Sequence, residues 1–463
     1  MIGKEKSSAS PGKEVRAVWL TTIGGIDWPH TYAHDEYTIN KQKLEFVNIL
    51  DKLKKININT VLLQTRIRGT VIYPSSFEPW DGCVSGNPGK SPGYDPLQFA
   101  IEECHRRGME LHAWVVSLPV GKWNALGCRQ LRQRFPSIIR KIGEDGFLNP
   151  EMPKTAEVLA DVCGEITKNY DIDGIHLDYI RYPETWKIKV PRQQGRENIT
   201  YIVRKVHDRV KSIKPHVKMS CSPLGKYDDL ARYSSKGWNA RNTVCQDAQM
   251  WLKSGLMDQL YPMIYFKENH FYPFAIDWAE SSDKGQVAVG LGIYFLDSKE
   301  GNWKIEEVKR QLNVSRAYGL GQCFFRTKFL LDNVQGIYDY LRIFNFADGW
   351  QTYKSLFSIP VASNPLSESS KQPSDSISAH LGKWIRNDGF RMSFPEKGKV
   401  LDADFILIES IFGNGICTKP YRGKYADISN LANGIYIVKS LGKKGTVHRL
   451  GWMKVKRGNN IPE

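Results

Sequence analysis

The segment DGIHLDYIRYP places a carboxylate where a buried β-strand should end. Ile175 and Leu177 are typical of a buried strand, and an ionised Asp178 beside them is costly unless it has a use. Because alternate residues of a strand share a face, His176 and Asp178 should point the same way. We therefore expect a strand that presents Asp178 to a polar substrate, with a structural salt bridge to Arg181 as the alternative.

A second predicted strand, LLQTRIRG, carries three polar side chains at alternate positions, Gln64, Arg66 and Arg68. If the alternation is regular, all three point in one direction. Guanidinium groups bind carboxylates and other oxygens in a fixed geometry, so this face suits a polar or anionic ligand. The alternative is that the arginines neutralise carboxylates such as Asp178.

Aromatic side chains form a further group of candidates. Trp19, Trp28 and Trp114 are possible platforms for stacking a sugar ring, although a single tryptophan is more often part of a core. In the stretch MDQLYPMIYF, Tyr261 and Tyr265 fall on one face of a later predicted strand. These aromatic residues are therefore expected at a carbohydrate site.

The elements that must position these residues alternate between strand-like and helix-like patterns. Predicted strands cover 15–23, 59–67, 109–118, 173–178, 217–224, 257–266, 286–296 and 321–331. Strands separated by helices indicate parallel strands with crossover connections, and eight such units favour a (β/α)₈ TIM barrel of the α/β class over 14–360. In such a barrel the active site lies at the carboxyl ends of the strands, where Asp178 is placed.

The composition of the sequence changes after the predicted barrel. Residues 361–378 are rich in Ser and Pro and read as a linker. Residues 379–463 show short β-prone runs broken by Gly, Asn and Pro, of which NLANGIYIVKS is the clearest. This pattern predicts a small C-terminal all-β sandwich of Ig-like type.

Composition limits the function classes. The net charge of +16 suits an anionic partner or simply a solvated basic surface, and no RNA- or DNA-binding signature supports nucleic acid. No apolar run of 18 residues exists, so we expect no membrane span.

The eight cysteines form no Cys-x-x-Cys pair, and neither a His-Glu-x-x-His motif nor a phosphate loop occurs. We therefore expect no metal and no cofactor. The first residues lack an apolar export segment, as in a cytosolic protein or one whose signal was removed.

Four stretches in this order resemble the bacterial glycosyl-hydrolase-like 10 family: VRAVWLTTIGGIDWP, NTVLLQTRIRGTVIYPSSFEPW, GYDPLQFAIEECHRRGMELHAWV and DIDGIHLDYIRYP. The resemblance implies a (β/α)₈ barrel that hydrolyses glycans, including peptidoglycan glycan strands stripped of their peptides. It assigns Asp178 as the strand-four carboxylate. It also implies substrate-binding roles for Asp27, Trp28, Gln64, Arg66, Arg68, Tyr261 and Tyr265. This chain departs from the family pattern at Met263, where many relatives carry Gln.

The C-terminal stretch is similar to β-sandwich modules of exported Bacteroidetes proteins. This similarity implies an extracytoplasmic location, in the periplasm, on the outer membrane or secreted, with the signal peptide already removed. The substrate would then be an extracytoplasmic polysaccharide.

These observations favour a glycoside hydrolase that uses two carboxylates. Asp178 is the expected nucleophile or base, and Glu268 the expected acid by analogy with barrels that use strands four and six. Glu78 and Asp228 are the reserves for the acid. The alternative is a non-catalytic glycan-binding protein on a barrel scaffold, because the fifth strand, in SCSPLGKY, ends without a glutamate.

Overall fold

The computed structural model describes residues 14–230, 237–283 and 285–345, together with separate segments between 387 and 455. The chain divides into two compact units between residues 347 and 348. The predicted linker, 361–378, lies outside the described residues. Among the described helices, none has both the length and the hydropathy that a membrane span requires.

In the first unit, the described strands are β1 (Arg16–Leu20), β2 (Thr60–Arg66), β3 (Glu110–Val116), β4 (Pro119–Lys122), β5 (Ile139–Ile142), β6 (Asp145–Leu148), β7 (Gly174–Asp178), β8 (Lys218–Cys221), β9 (Gln259–Leu260), β10 (Ala288–Leu291) and β11 (Gly321–Phe324). The helices are α1 (Glu36–Lys55), α2 (Gly82–Ser85), α3 (Pro96–Arg106), α4 (Leu126–Arg134), α5 (Pro153–Asn169), α6 (Arg192–Ile213), α7 (Ala240–Thr243), α8 (Ala248–Lys253), α9 (Tyr272–Glu280), α10 (Ile305–Ala317), α11 (Thr327–Leu331) and α12 (Ile337–Phe344). Short 3-10 turns lie at Ile23–Gly25, Pro136–Ile138, Glu268–His270, Ile293–Leu296 and Val334–Gly336.

Eight of these strands form one parallel sheet in the order β10-β11-β1-β2-β3-β7-β8-β9. Two isolated parallel bridges, Leu260 to Val287 and Met263 to Gly290, connect its two ends. The sheet is therefore a nearly closed barrel, and the predicted (β/α)₈ architecture is confirmed. All residues of β1, β2 and β7 are buried, as expected for strands covered on both faces.

A β-bulge changes the predicted facing of β2. Gln64 pairs with Trp114 on β3, but Arg66 pairs with the next residue, Val115, so that Thr65 is an extra residue on β2. An extra residue shifts the alternation by one position. Gln64 therefore shares the inward face with Trp114, and Arg66 lies on the opposite face, contrary to the prediction.

The structure also contains an insertion that the sequence pattern did not reveal. Between β3 and α5, the strands β4, β5 and β6 form a separate three-stranded sheet in the order β4-β6-β5. Two predicted strands end early: β10 ends at Leu291, and the chain after β11 forms helix α11. Short apolar runs do not distinguish strand from helix by periodicity alone, which explains this error.

In the second unit, the described strands are β12 (Arg391–Ser393), β13 (Ala403–Ser410), β14 (Ile416–Pro420), β15 (Tyr425–Asp427), β16 (Gly434–Gly442) and β17 (Val447–Val455). They form an antiparallel sheet in the order β14-β13-β16-β17 and a β12-β15 pair. Met392 and Ala426 from the pair share a buried cluster with Ile406 and Val438 from the larger sheet. The described residues therefore form a small β domain, as expected.

Candidate active site

A cavity of about 720 Å³ opens at the carboxyl ends of the barrel strands. Strand ends and the residues just after them contribute Thr21, Gln64, Trp114, Val116, Asp178, Met263, Tyr265 and Phe325. The β4–β6 insertion contributes a second wall that includes Lys122, Glu144 and Asp145. This is the end of the barrel at which a (β/α)₈ enzyme carries its active site.

Asp178 lies on the floor of this cavity and is 6% exposed. Its Oδ1 accepts hydrogen bonds from the Tyr179 amide at 2.8 Å and from Ser222 Oγ at 2.7 Å. Its Oδ2 accepts from Trp114 Nε1 at 3.1 Å. Burial raises the pKa of Asp178, while the Ser222 hydroxyl and then the Arg181 charge oppose that rise. Both oxygens are thus held in one orientation, and the carboxyl group takes up a proton more readily than an exposed aspartate.

His176 lies inside the barrel and is fully buried. Trp19 Nε1, which can only donate, lies 3.2 Å from Nε2 of His176, so the ring proton is on Nδ1 and is donated to Ser220 Oγ at 3.0 Å. Burial lowers the pKa of His176 well below its usual value. Tyr261 is also fully buried and packs edge-on against the His176 ring at 5.2 Å. The structure therefore places His176 and Tyr261, both predicted substrate contacts, in the barrel interior and outside the cavity lining.

Arg66 is fully buried away from the cavity. Its Nε and Nη2 donate to the two carboxylate oxygens of Glu78, each at 2.7 Å. Its Nη1 donates to the Ser117 carbonyl at 2.9 Å and to the Val116 carbonyl. The structure therefore places Arg66, a predicted substrate contact, outside the cavity lining, because the bulge turns it outward. Both carboxylate oxygens of Glu78, a reserve candidate for the acid, are engaged in the same ion pair.

Asp27 and Trp28 are also structural. Asp27 accepts from Arg326 Nη1 at 2.6 Å and from the Lys328 amide at 3.0 Å, so it joins the loop after β1 to the loop after β11. Trp28 is fully buried, with its ring 4.9 Å from that of Phe46. Neither lines the cavity. Tertiary contacts therefore use both of these side chains, which were predicted to contact substrate.

Glu268 and Asp228, the other candidates for the acid, also lie outside the lining of the cavity. Glu268 is exposed, its backbone turns with φ at 50°, and its amide faces Glu307 of α10. Asp228 accepts hydrogen bonds from Arg241 and Asn242, each at 2.8 Å. The structure therefore does not bring Glu268, the predicted acid, onto the cavity lining with Asp178.

The structure does bring together six predicted site residues, Gln64, Arg68, Trp114, Asp178, Arg181 and Tyr265. Arg68 is exposed, whereas Arg181 is 3% exposed and its guanidinium lies 4.4 Å from the centre of the Tyr179 ring. Gln64 uses its Oε1 to accept from the Ile23 amide at 2.8 Å, which fixes the loop after β1 beside the cavity.

Other residues of the site were missed from the sequence. Ser222 follows β8 on the face of Ser220, and this alternation was a usable signal. Glu184 follows Arg181 by three positions in the loop after β7, where no periodicity marks it. Asp145 on the insertion pairs with Lys122 at 3.2 Å. Among the residues that the structure describes, no cluster of His, Cys, Asp and Glu could hold a metal ion.

The chain is similar to proteins that are named as glycosyl hydrolases. The chain is 29% identical over 373 residues to glycosyl hydrolase YngK of Bacillus subtilis (strain 168), covering 72% of each chain. It is 29% identical over 368 residues to glycosyl hydrolase DigH of Escherichia coli (strain K12), covering 68% of this chain and 83% of that one. The glycoside hydrolase domain of PgaB (BpsB) from Bordetella bronchiseptica is similar at a TM-score of 0.48 and 14% identity, covering 71% of this chain and 98% of that domain. The family model for glycosyl hydrolase-like 10 matches residues 14–295. The chain therefore belongs to the glycosyl hydrolase-like 10 family.

Proposed function

We propose that this glycosidase uses Asp178 at the anomeric carbon of a glycan, as the nucleophile or as the base that activates water. The observation that carries the proposal is the Asp178 carboxyl group, held by three hydrogen-bond donors on the floor of the cavity. The cavity volume of about 720 Å³ lies in the range of known ligand pockets. A carboxylate fixed before substrate arrives loses little freedom on reaction.

Hydrolysis of a glycoside requires a second carboxyl group as well. One group donates a proton to the leaving oxygen, and the other attacks the anomeric carbon or deprotonates a water molecule. Besides Asp178, the described carboxylates on the cavity lining are Glu144, Asp145 and Glu184. The cavity therefore offers the two-carboxylate chemistry that the proposal needs.

The proposal has a pH signature. Burial raises the pKa of Asp178, and a nucleophile or base must be ionised to act. As pH falls, Asp178 takes up a proton earlier than an ordinary carboxyl group does. Activity should therefore fall on the acid side at a higher pH than the usual aspartate pKa, which lies near 4.

We further propose that the substrate is a glycan with carboxylate groups, with peptidoglycan strands freed of peptides as the leading candidate, and that the enzyme acts outside the cytoplasm. Two cations of the cavity, Lys122 and Arg181, are paired with Asp145 and Glu184. Arg68 is exposed on the lining and makes no ion pair within the described part of the chain. The net charge of +16 also favours the approach of an anionic polymer.

Product analysis tests this proposal. The protein is incubated separately with intact sacculi, with peptide-free glycan strands and with a neutral polysaccharide, and the soluble products are measured by mass spectrometry. We expect shorter glycans from the peptide-free strands, whose summed mass rises by one water for each bond cleaved. Binding without products would instead support the glycan-binding alternative. If only the neutral polysaccharide is cleaved, the glycosidase activity is supported but the proposed carboxylate-bearing substrate is rejected.

A further inference from the structure

We propose that Glu184 is the second catalytic carboxyl group, the acid that protonates the leaving oxygen. The inference rests on the proposed hydrolysis by Asp178 and adds the residue that sequence reasoning placed elsewhere, at Glu268. Both Asp178 and Glu184 line the same cavity. They come from one connection, in which Asp178 ends β7 and Glu184 lies in the loop that follows.

Arg181 interacts with both carboxyl groups. Its Nη1 donates to Glu184 Oε1. Its positive charge also opposes the burial that raises the pKa of Asp178. The phenol of Tyr179 has its pKa raised mainly by burial, and it also senses the charges of Asp178, Arg181 and Glu184. The guanidinium of Arg181 also lies 4.4 Å from the centre of the Tyr179 ring, and Tyr179 directly follows Asp178.

The backbone holds this arrangement in place. Tyr179 has φ at 50°, a conformation that is uncommon for a residue with a Cβ and that is retained mostly at functional sites. It turns the chain directly after Asp178. Further along the loop, the buried Trp186 packs against Arg140 on β5. The guanidinium carbon of Arg140 lies 4.5 Å from the centre of the Trp186 ring. The loop that carries Glu184 is thus anchored at both ends.

The rival carboxylates on the insertion are less suited to proton donation. The Oδ2 of Asp145 accepts a hydrogen bond from Lys122 Nζ, and its Oδ1 is buried and unpartnered among the described atoms. Glu144 is exposed on the turn between β5 and β6. The side chain of Glu184 is 35% exposed, and Arg181 occupies only its Oε1, so Oε2 can carry a proton toward a bound glycan.

The chemistry balances with this assignment. The bond between the anomeric carbon and the glycosidic oxygen breaks, its electron pair goes to the oxygen, and Glu184 supplies the proton. In a retaining reaction Asp178 bonds to the anomeric carbon. Water then displaces Asp178 and returns its proton to Glu184. In an inverting reaction Asp178 takes the proton of the attacking water, and both carboxyl groups re-equilibrate with solvent.

Glu184→Gln in the full chain tests the assignment, because glutamine keeps an oxygen for Arg181 but cannot donate an acidic proton. Turnover of the natural glycan should fall by about 10²–10⁴-fold. A nitrophenyl glycoside, whose leaving group needs no proton, should lose much less. Glu184→Asp, which keeps an acid, should retain more turnover of the natural glycan than Glu184→Gln does.

A matched control is Glu157→Gln on α5, since Glu157 also pairs with a cation three residues away, Lys154, and is 52% exposed. It should keep normal turnover, and melting temperatures confirm that every variant is folded. If Glu184→Gln cleaves the natural glycan at the normal rate, or if Asp145→Asn shows the described losses instead, the assignment is overturned. If the wild type cleaves no glycan, the proposed function itself fails, which is a distinguishable result.

Discussion

Arg66→Met tests whether the arginine of β2 is structural, as its contacts indicate. The guanidinium donates two hydrogen bonds of 2.7 Å to Glu78 and further bonds to the carbonyls of Val116 and Ser117. Glu78 is 5% exposed, so removal of Arg66 leaves a buried carboxylate unpaired. Breaking one side of a buried pair costs about 3–5 kcal/mol of unfolding free energy. Glycan binding by the molecules that remain folded should be unchanged, because Arg66 does not line the cavity.

Urea unfolding followed by tryptophan fluorescence measures the loss. The control is Arg209→Met, because Arg209 pairs with Asp161 at 2.8 Å while the two side chains are 48% and 36% exposed. An exposed pair of this kind contributes at most about 1 kcal/mol. Adding Glu78→Met to Arg66→Met should recover most of the stability, since no charge then remains buried. A loss below about 1 kcal/mol in Arg66→Met, with weaker glycan binding, would refute the reasoning.

Three further predictions concern the cavity and the domain boundary. Trp114→Phe removes the donor to Asp178 Oδ2, which favours the ionised carboxylate, so the acid limb of kcat/KM should move to higher pH; an unmoved limb would contradict this. Arg68→Gln should weaken binding of an acidic glycan about tenfold more than binding of a neutral one, as measured by calorimetry, and equal losses would remove Arg68 from anion recognition. A chain that ends at Ser370 should unfold cooperatively in calorimetry and keep its turnover, whereas loss of either would argue against independent domains.

The barrel and its central carboxylate could be predicted from the sequence. Parallel strands covered on both faces appear in the sequence as short apolar runs. In the helices between them, the apolar residues recur with the helical period instead. That pattern locates Asp178 at a strand end, and strand alternation places Trp114 on the inward face. Both predictions need only local periodicity and the rule that barrel sites lie at carboxyl ends.

The remaining features depend on contacts that periodicity does not encode. One extra residue at Thr65 reverses the facing of Arg66. Trp28 has the residue type of a sugar platform, yet packing against Phe46 makes it core. The strands of the insertion have only four residues each, too few for a clear alternation. Glu184 lies in a loop whose path is set by Tyr179 and by packing, so its position needed the folded chain.

Asp178→Asn, with turnover of peptide-free glycan strands and melting temperature measured on one sample, tests the central claim most directly. Asparagine keeps the shape and an oxygen for Tyr179 and Ser222. It loses the acceptor for Trp114, but it also removes a buried charge, so the melting temperature should change little. Turnover should fall by several powers of ten, as for a group that acts in the transition state. A folded Asp178→Asn protein with near-normal turnover would contradict the catalytic role of Asp178.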